Sequence, residues 1–273
     1  MVQRVLMCPP TFFDVHEIKN PYMGQPINHA LAKEQWENIC ASIEEAGIAV
    51  EVIDPVEGLE DMVFSANPIF VGGHDSIGKF VVPSHMRYAS RQKEVPFYVE
   101  WLRKRGYKVI DLDLQDEYLE GHGDLLWHPG QARIWAAYGF RSTCGGVQKV
   151  GQLMRDMGIP VTALQLVDEH CYHLDTCLCP FNQDAALIYP GAFSRESLDV
   201  VRKGWKRIYE LSKEEAHNFM GNGIVANGRY LTPHLTPNLE RVLAQEGLRP
   251  VMVDTSEFEK SGGSLFCMKA FLY

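Results

Sequence analysis

The stretch Ile27-Asn28-His-Ala-Leu31-Ala-Lys-Glu-Gln-Trp-Glu-Asn-Ile39-Cys40-Ala-Ser-Ile43-Glu-Glu-Ala46-Gly47-Ile48-Ala-Val-Glu-Val-Ile-Asp54 reads as one helix that feeds directly into one strand. Leu31, Ile39, Cys40 and Ile43 fall on one helical face, Asn28 is placed to cap the first turn, and Gly47 to end the last. Ile48 to Asp54 is rich in β-branched residues and reads as the strand. Such a helix–strand pair is the unit of an α/β fold.

The unit recurs along the chain. Ser90 to Arg105 reads as a helix closed by Gly106, with Tyr107 to Asp113 as its strand. Val147 to Met157, Gly158 and Ile159 to Leu166 repeat it, and Ser194 to Leu211 carries a blurred copy. A last copy runs from Pro237 through Leu239, Val242, Leu243 and Gly247 into Pro250 to Thr255. A spacing of roughly 50 residues between copies suggests a pseudo-symmetric ring or a layered sheet. No Gly/Ser/Pro-rich linker divides the chain, so residues 1–273 are expected to form a single domain. No strand is followed by a Gly-x-Gly-x-x-Gly turn or a Walker-type loop, which argues against nucleotide binding.

The net charge of −9 argues against a nucleic-acid partner, which needs a concentrated basic patch, and favours a small cationic ligand. No stretch approaches the ~18 apolar residues of a membrane span, and the N-terminus Met1 to Pro10 lacks the apolar run of a secretory signal. The seven cysteines are odd in number and follow no disulfide rhythm, so reduced thiols and a cytoplasmic location are expected.

Four segments can carry chemistry. In Ser261-Gly-Gly-Ser-Leu-Phe-Cys267-Met-Lys, two glycines ahead of a cysteine permit a close backbone approach. An arbitrary cysteine is more often a small buried hydrophobe than a nucleophile, and reactivity needs a nearby cation or helix N-terminus. In Asp168-Glu-His170-Cys-Tyr-His173-Leu-Asp175-Thr-Cys177-Leu-Cys179, strand alternation would point His173 and Asp175 to one face. There a carboxylate can hold a guanidinium while the imidazole moves protons. A metal set of His170, His173, Cys177 and Cys179 lacks any recognised zinc spacing, so no metal and no cofactor is expected.

Leu119-Glu120-Gly-His-Gly-Asp124 frames two glycines with two carboxylates, as a tight turn aimed into a cavity would, although Asp and Gly populate ordinary turns as well. Glu60-Asp61-Met-Val-Phe64-Ser-Ala-Asn67-Pro68 reads as an apolar strand ending in Asn67, held extended by the proline.

Together these segments resemble the guanidino-group-modifying (pentein) superfamily, over nearly the whole chain and in the family's order. Asp61 to Pro68 is similar to the family's Asp-x-Val-Phe-x-x-Asp strand, Glu120 to Asp124 to its Glu-Gly-x-Asp turn, and His173-Leu-Asp175 to its His-x-Asp. Gly262-Gly-Ser-Leu-Phe-Cys267 is similar to the dimethylargininase C-terminus. The resemblance implies an α/β fold, a five-bladed propeller of ββαβ units. It implies Cys267 as nucleophile, His173 as acid and base, and Glu120, or alternatively Asp124, as the carboxylate that orients the histidine or binds guanidinium. Asp175, Asp61 and Phe64 would surround the guanidinium, while Arg141 in Phe140-Arg-Ser-Thr143 and Arg91 in Ser90-Arg-Gln-Lys-Glu94 would bind the substrate carboxylate. For Arg91 a solvated helix face is the competing reading.

Two departures are informative. The family turn is one residue shorter than Glu120 to Asp124, and Asn67 stands where hydrolases of this group tend to carry a carboxylate. Asn67, with the early Glu17-Ile-Lys-Asn20-Pro segment, looks like the cyanobacterial-type arginine dihydrolases, with Asn20 at the mouth of the site. The expectation is therefore a cofactor-free arginine dihydrolase acting on a small arginine-type substrate, with a homo-oligomer allowed. Dimethylargininase is the first alternative and arginine deiminase the second. A non-catalytic arginine-binding domain and a cysteine protease or amidase are the readings from other classes.

Overall fold

The structure, a computed structural model, describes residues 4–273; Met1 to Gln3, the start of the N-terminal stretch read above, lie outside the described residues. The strands are β1 (Arg4–Met7), β2 (Ala49–Val52), β3 (Ile69–His74), β4 (Gly78–Pro83), β5 (Lys108–Val109), β6 (Leu125–Trp127), β7 (Ile134–Tyr138) and β8 (Val161–Gln165). They continue with β9 (Leu178–Pro180), β10 (Ala185–Ile188), β11 (Arg207–Glu210), β12 (Ile224–Ala226), β13 (Arg229–Thr232), β14 (Arg249–Met252) and β15 (Lys269–Leu272).

These strands form five three-stranded sheets, ordered β3-β4-β5, β6-β7-β8, β9-β10-β11, β12-β13-β14 and β15-β1-β2. In each sheet the first pair is antiparallel and the second parallel. Parallel neighbours need a crossover. It is supplied by the helices His29–Glu45, Val95–Arg103, Cys144–Asp156, Arg195–Lys203 and Pro237–Gln245. The result is the ββαβ unit five times over, the α/β propeller that the resemblance implied. Its last blade closes the ring by pairing the chain's C-terminal strand with its N-terminal one, Leu6 opposite Ala270.

Local chemistry explains the helix boundaries. The side chains of Asn28, Thr143, Ser194 and Thr236 each accept from a backbone N–H of the first turn, and Gly47, Gly106, Gly158 and Gly247 follow in positive φ. A cap contributes about 1 kcal/mol, whereas each fully buried aliphatic side chain contributes about 1.5–3 kcal/mol. Packing therefore sets which face turns inward: Val147, Val150 and Met154 lie with Ile134 and Ala136 in one core cluster. The middle strand β10 is buried throughout, while the outer strands β2, β11 and β14 are exposed at both ends. Among the described residues, no helix is long and apolar enough to cross a membrane.

Three expectations need correction. The helix read over Ser90 to Arg105 is two pieces, Ala89–Gln92 and Val95–Arg103, because Pro96 stands in the second piece's first turn and cannot donate to a preceding turn. Asp61 to Asn67 is not a strand: Glu60–Val63 is a 3-10 turn whose buried acids serve ion pairs rather than a ladder. His173 and Asp175 do not alternate along a strand, since Leu174–Thr176 is also a 3-10 turn, and they converge through tertiary placement instead.

Candidate active site

One place recurs in every blade: a polar or thiol residue one to three positions ahead of the blade's first strand. Asn67 precedes β3, Asp124 β6, Asp175 β9, Asn222 β12 and Cys267 β15. All are buried. Hydrogen bonds join these segments into a closed ring. The His122 N–H donates to the Ala66 carbonyl at 2.8 Å, and the Leu174 N–H to Asp124 Oδ1 at 3.2 Å. Asn222 Nδ2 donates to the Asp175 carbonyl at 2.9 Å, the Phe266 N–H to the Asn222 carbonyl at 2.9 Å, and the Ala66 N–H to the Cys267 carbonyl at 3.0 Å. Five sequence-distant segments thus meet at the centre of the ring.

Glu120 is fully buried and holds His173. Its Oε2 lies 2.7 Å from His173 Nε2 and 3.0 Å from Arg141 Nη1, and its Oε1 accepts from the Arg87 N–H at 2.9 Å. Burial pushes this carboxyl up, but the Arg141 guanidinium and the His173 ring outweigh it and leave it well below the usual carboxylate range. An ionised Glu120 can only accept, so His173 donates through Nε2–H and keeps its lone pair on Nδ1. Asn67 Nδ2 lies 3.5 Å from that nitrogen. Asn67 is itself held by Arg91, whose Nη1 donates to Asn67 Oδ1 at 3.1 Å.

Asp124 does something different. Its Oδ2 accepts from Ser142 Oγ at 2.6 Å and its Oδ1 from the Leu174 N–H, so it braces the segments that carry Arg141 and His173 without touching the imidazole. Of the two carboxylates left open by the sequence, Glu120 is the one bonded to His173.

The Cys267 thiol donates to Asp175 Oδ2 at 3.2 Å, and Asn222 Nδ2 lies 3.3 Å from the sulfur. Burial, followed by the Asp175 charge, pushes the thiol well above its ordinary value. Burial likewise pushes the Asp175 carboxyl up to about 7, and its Oδ1 has no hydrogen-bond partner among the described residues. An unpaired buried carboxylate oxygen is a ready acceptor for a guanidinium N–H. If Asp175 must be ionised to hold a guanidinium, arginine affinity is expected to be flat above pH about 7 and to weaken up to about tenfold per pH unit below it. Titration calorimetry on a Cys267→Ser protein measures this, and an affinity constant down to about pH 5.5 would remove Asp175 from the clamp.

Cys267 and His173 line one cavity of about 10 Å³, room for about one water, so a larger ligand needs a wall to move. Asn20, Asp61, Phe64, Asn67, Arg91 and Arg141 line the same cavity, whereas Glu120, Asp124 and Asp175 do not. Arg91 is 3% exposed and not on a solvated helix face. Its guanidinium is committed to Glu94, Asn67 and the backbone carbonyls of Asp61 and Phe64. Arg141 is sandwiched, its guanidinium carbon 4.9 Å from the Tyr88 ring centre and 4.7 Å from that of Tyr172. Asn20 Nδ2 donates to the Ser261 carbonyl at 2.9 Å. Space is needed at Gly262, which has φ +87° and where a Cβ would press on the Asn20 amide.

Sequence reasoning missed Lys19, Tyr172 and Asn222. Lys19 Nζ is buried 2.9 Å from Asp61 Oδ2, with its ammonium pulled down by burial but raised further by Asp61. A lone lysine in sequence reads as a surface residue, and Gly221-Asn222-Gly223 as a turn. The residues weighed for a metal do not assemble: the ligand-bearing group among the described residues is Asp168, His170 and His217, without His173, Cys177 or Cys179.

A profile of the family described as N,N dimethylarginine dimethylhydrolase, eukaryotic, matches residues 16–273. The bifunctional arginine dihydrolase/ornithine cyclodeaminase ArgZ of Synechocystis sp. is 34% identical over 271 residues, 97% of this chain and 37% of ArgZ. The chain thus spans a little over a third of that relative's length. The N(G),N(G)-dimethylarginine dimethylaminohydrolase of Mycobacterium tuberculosis is 32% identical over 267 residues, 97% of this chain and 84% of that protein. Among solved structures, the N-terminal domain of ArgZ, as a cysteine-to-serine variant bound to substrate, superposes with a TM-score of 0.91 at 33% identity, covering 98% of this chain and 97% of that one.

Proposed function

This chain belongs to the dimethylarginine dimethylaminohydrolase family, and from that membership we propose that it is a cysteine-dependent hydrolase of the arginine guanidinium group that carries arginine through two hydrolyses to ornithine, carbon dioxide and ammonia. The observation that carries the two-step reading is Asn67. It sits against His173 where family hydrolases tend to place a carboxylate, and it is held there by Arg91.

In this mechanism the guanidinium cation binds Asp175 in place of the thiol and lowers the thiol pKa, the thiol proton passes to Nδ1 of His173, and Cys267 attacks as the thiolate. The tetrahedral adduct collapses when His173 protonates the leaving nitrogen, which departs as ammonia. Water deprotonated by the same histidine then attacks the covalent carbon and returns the thiolate, leaving citrulline. The ureido group of citrulline is neutral, so a ring of anions no longer retains it. The Asn67 amide both donates and accepts, and holds the ureido group for a second attack. Arginine and two waters balance one ornithine, one carbon dioxide and two ammonia.

The test is product analysis with purified protein and arginine. Ornithine and ammonia in a ratio of one to two are expected, and citrulline as sole terminal product would overturn the two-step reading. The family profile favours a second reading, dimethylargininase; turnover of N,N-dimethylarginine but not of arginine would select it. Asn67→Asp is expected to let citrulline accumulate while arginine is still consumed. Unchanged ornithine output from that variant would take the second step away from Asn67.

A further inference from the structure

Asn222 is fully buried on the turn that leads into β12, and both polar atoms of its side chain are committed around the cysteine. Its Oδ1 accepts from the Phe266 N–H at 3.1 Å and from the Cys267 N–H at 3.3 Å. Two backbone donors on the oxygen fix the orientation of the amide, so its nitrogen faces the other way. There Nδ2 donates to the Asp175 carbonyl at 2.9 Å and lies 3.3 Å from the Cys267 sulfur. An amide nitrogen carries two hydrogens, one for each of these partners. The sulfur's other side-chain partner is Asp175 Oδ2, which accepts from the thiol. Once the thiol proton has passed to His173, the Asn222 N–H is the side-chain donor that remains on the sulfur.

The chain holds this turn in place. Gly221 and Gly223 flank Asn222; a Cβ on the first would come within 2.9 Å of the Thr176 carbonyl oxygen, and one on the second would run into the Tyr230 ring. The Asn222 N–H donates to the Phe219 carbonyl at 2.9 Å, and the buried Phe219 holds a left-handed φ of +56°, which a bulky side chain seldom adopts. The Tyr230 hydroxyl donates to the Met220 carbonyl at 2.7 Å. Strain that surrounding contacts over-determine gathers at functional positions.

We propose that the Asn222 amide is a catalytic group: its Nδ2–H donates to the Cys267 thiolate as the sulfur attacks, and again as the sulfur leaves the covalent carbon. This rests on the reading of Cys267 as nucleophile. In the attack an electron pair on sulfur becomes the S–C bond, and in the release the S–C bond breaks and the pair returns to sulfur. The same donor therefore serves both half-reactions. Burial and the Asp175 charge push the thiol up, while the Ser264 backbone and the Asn222 amide pull it back. A neutral donor suits this place, because a fixed cation beside the sulfur would repel the guanidinium that Asp175 has to hold.

The experiment compares Asn222→Ala, which removes the donor without adding charge, with the native chain. A hydrogen bond to an ionised group makes a difference of roughly ten- to hundredfold, so kcat should fall by about that factor. Arginine affinity, measured by calorimetry in a Cys267→Ser background, should stay within about twofold. Alkylation of Cys267 by iodoacetamide, read on its peptide by mass spectrometry, should be about tenfold slower at each pH, on a curve parallel to the native one. The titratable groups around the sulfur are left as they are: Asp175 bonded to it, His173 on the same cavity, and the buried Lys269 two residues along the chain. Coincident kcat and alkylation curves, or a loss confined to arginine affinity, would overturn the proposal. Asn222→Asp keeps an acceptor for the Phe266 and Cys267 N–H groups but turns an anion towards the sulfur, and should be slower than Asn222→Ala; native rates in it would equally overturn the proposal. Should neither variant fold, a crystal structure of the unmodified chain decides: Nδ2 should rest directly on the sulfur, and a water or another donor between them would overturn the assignment. If Cys267→Ser still releases ammonia, the proposed function fails instead, whatever the Asn222 variants show.

Discussion

Cys267→Ser is expected to lower ammonia release from arginine by on the order of 10⁴-fold or more while leaving the protein folded and able to bind arginine. A serine hydroxyl fits the same space, buried to 2% exposure, and can keep the contacts to Asn222 and Asp175. It cannot be ionised by a neighbouring cation at neutral pH as a thiol can. The observed sulfur contacts are to Asn222 and Asp175, and a guanidinium is not a strong enough partner to generate an alkoxide. Steady-state ammonia assays and arginine calorimetry on the same preparation separate chemistry from binding. Undiminished turnover would remove the covalent mechanism.

Glu120→Gln should be the most damaging conservative change, to activity and to stability together. His173 Nε2 and Arg141 Nη1 both donate to one carboxylate oxygen, and a third donor, the Arg87 N–H, reaches the other. A glutamine presents an NH₂ to one of these donors. Without the anion, His173 no longer needs to place its proton on Nε2, and a wrong tautomer at a catalytic histidine costs roughly 10³–10⁴-fold in rate. Arg141 would remain a buried cation without a counter-ion, at about 3–5 kcal/mol. That is a large part of a typical net stability of about 5–15 kcal/mol. Denaturant melts and kcat measure the two effects, and a variant with native stability would show that Arg141 finds another partner.

The linkage has a definite sign. The folded Glu120 carboxyl lies below its unfolded value, so its contribution is fully present above the unfolded value and is lost only as pH falls through the depressed one. An acid limb in the activity profile near neutrality would therefore not belong to Glu120; burial pushes Asp175 up to about 7, Glu94 to about 7 and Asp124 to about 6, and of these Asp175 is the one bonded to the thiol.

The boundary between legible and illegible residues follows burial. The helix–strand repeat was readable because a helix face and its cap are local: Asn28, Gly47 and the Leu31–Ile43 stripe suffice to place one unit. The cysteine, histidine and acids were readable because their residue types and order matched a family. The shape that joins them was not. Asp61 to Asn67 and His173 to Asp175 looked like strands, yet they run through the 3-10 turns Glu60–Val63 and Leu174–Thr176.

Periodicity along the chain thus determined by itself a five-copy helix–strand repeat of an α/β protein, while the resemblance singled out the cysteine, the imidazole and the carboxylates. Only the closed ring decided which carboxylate reaches His173, that Arg91 is committed to Glu94 and Asn67, and that Asn222 and Asp175 stand beside the sulfur. The physical reason is that hydrogen-bond partners and desolvation are properties of neighbours in space. Glu120 meets His173, and Cys267 meets Asp175 and Asn222, across different blades, so no short window of sequence contains these pairs.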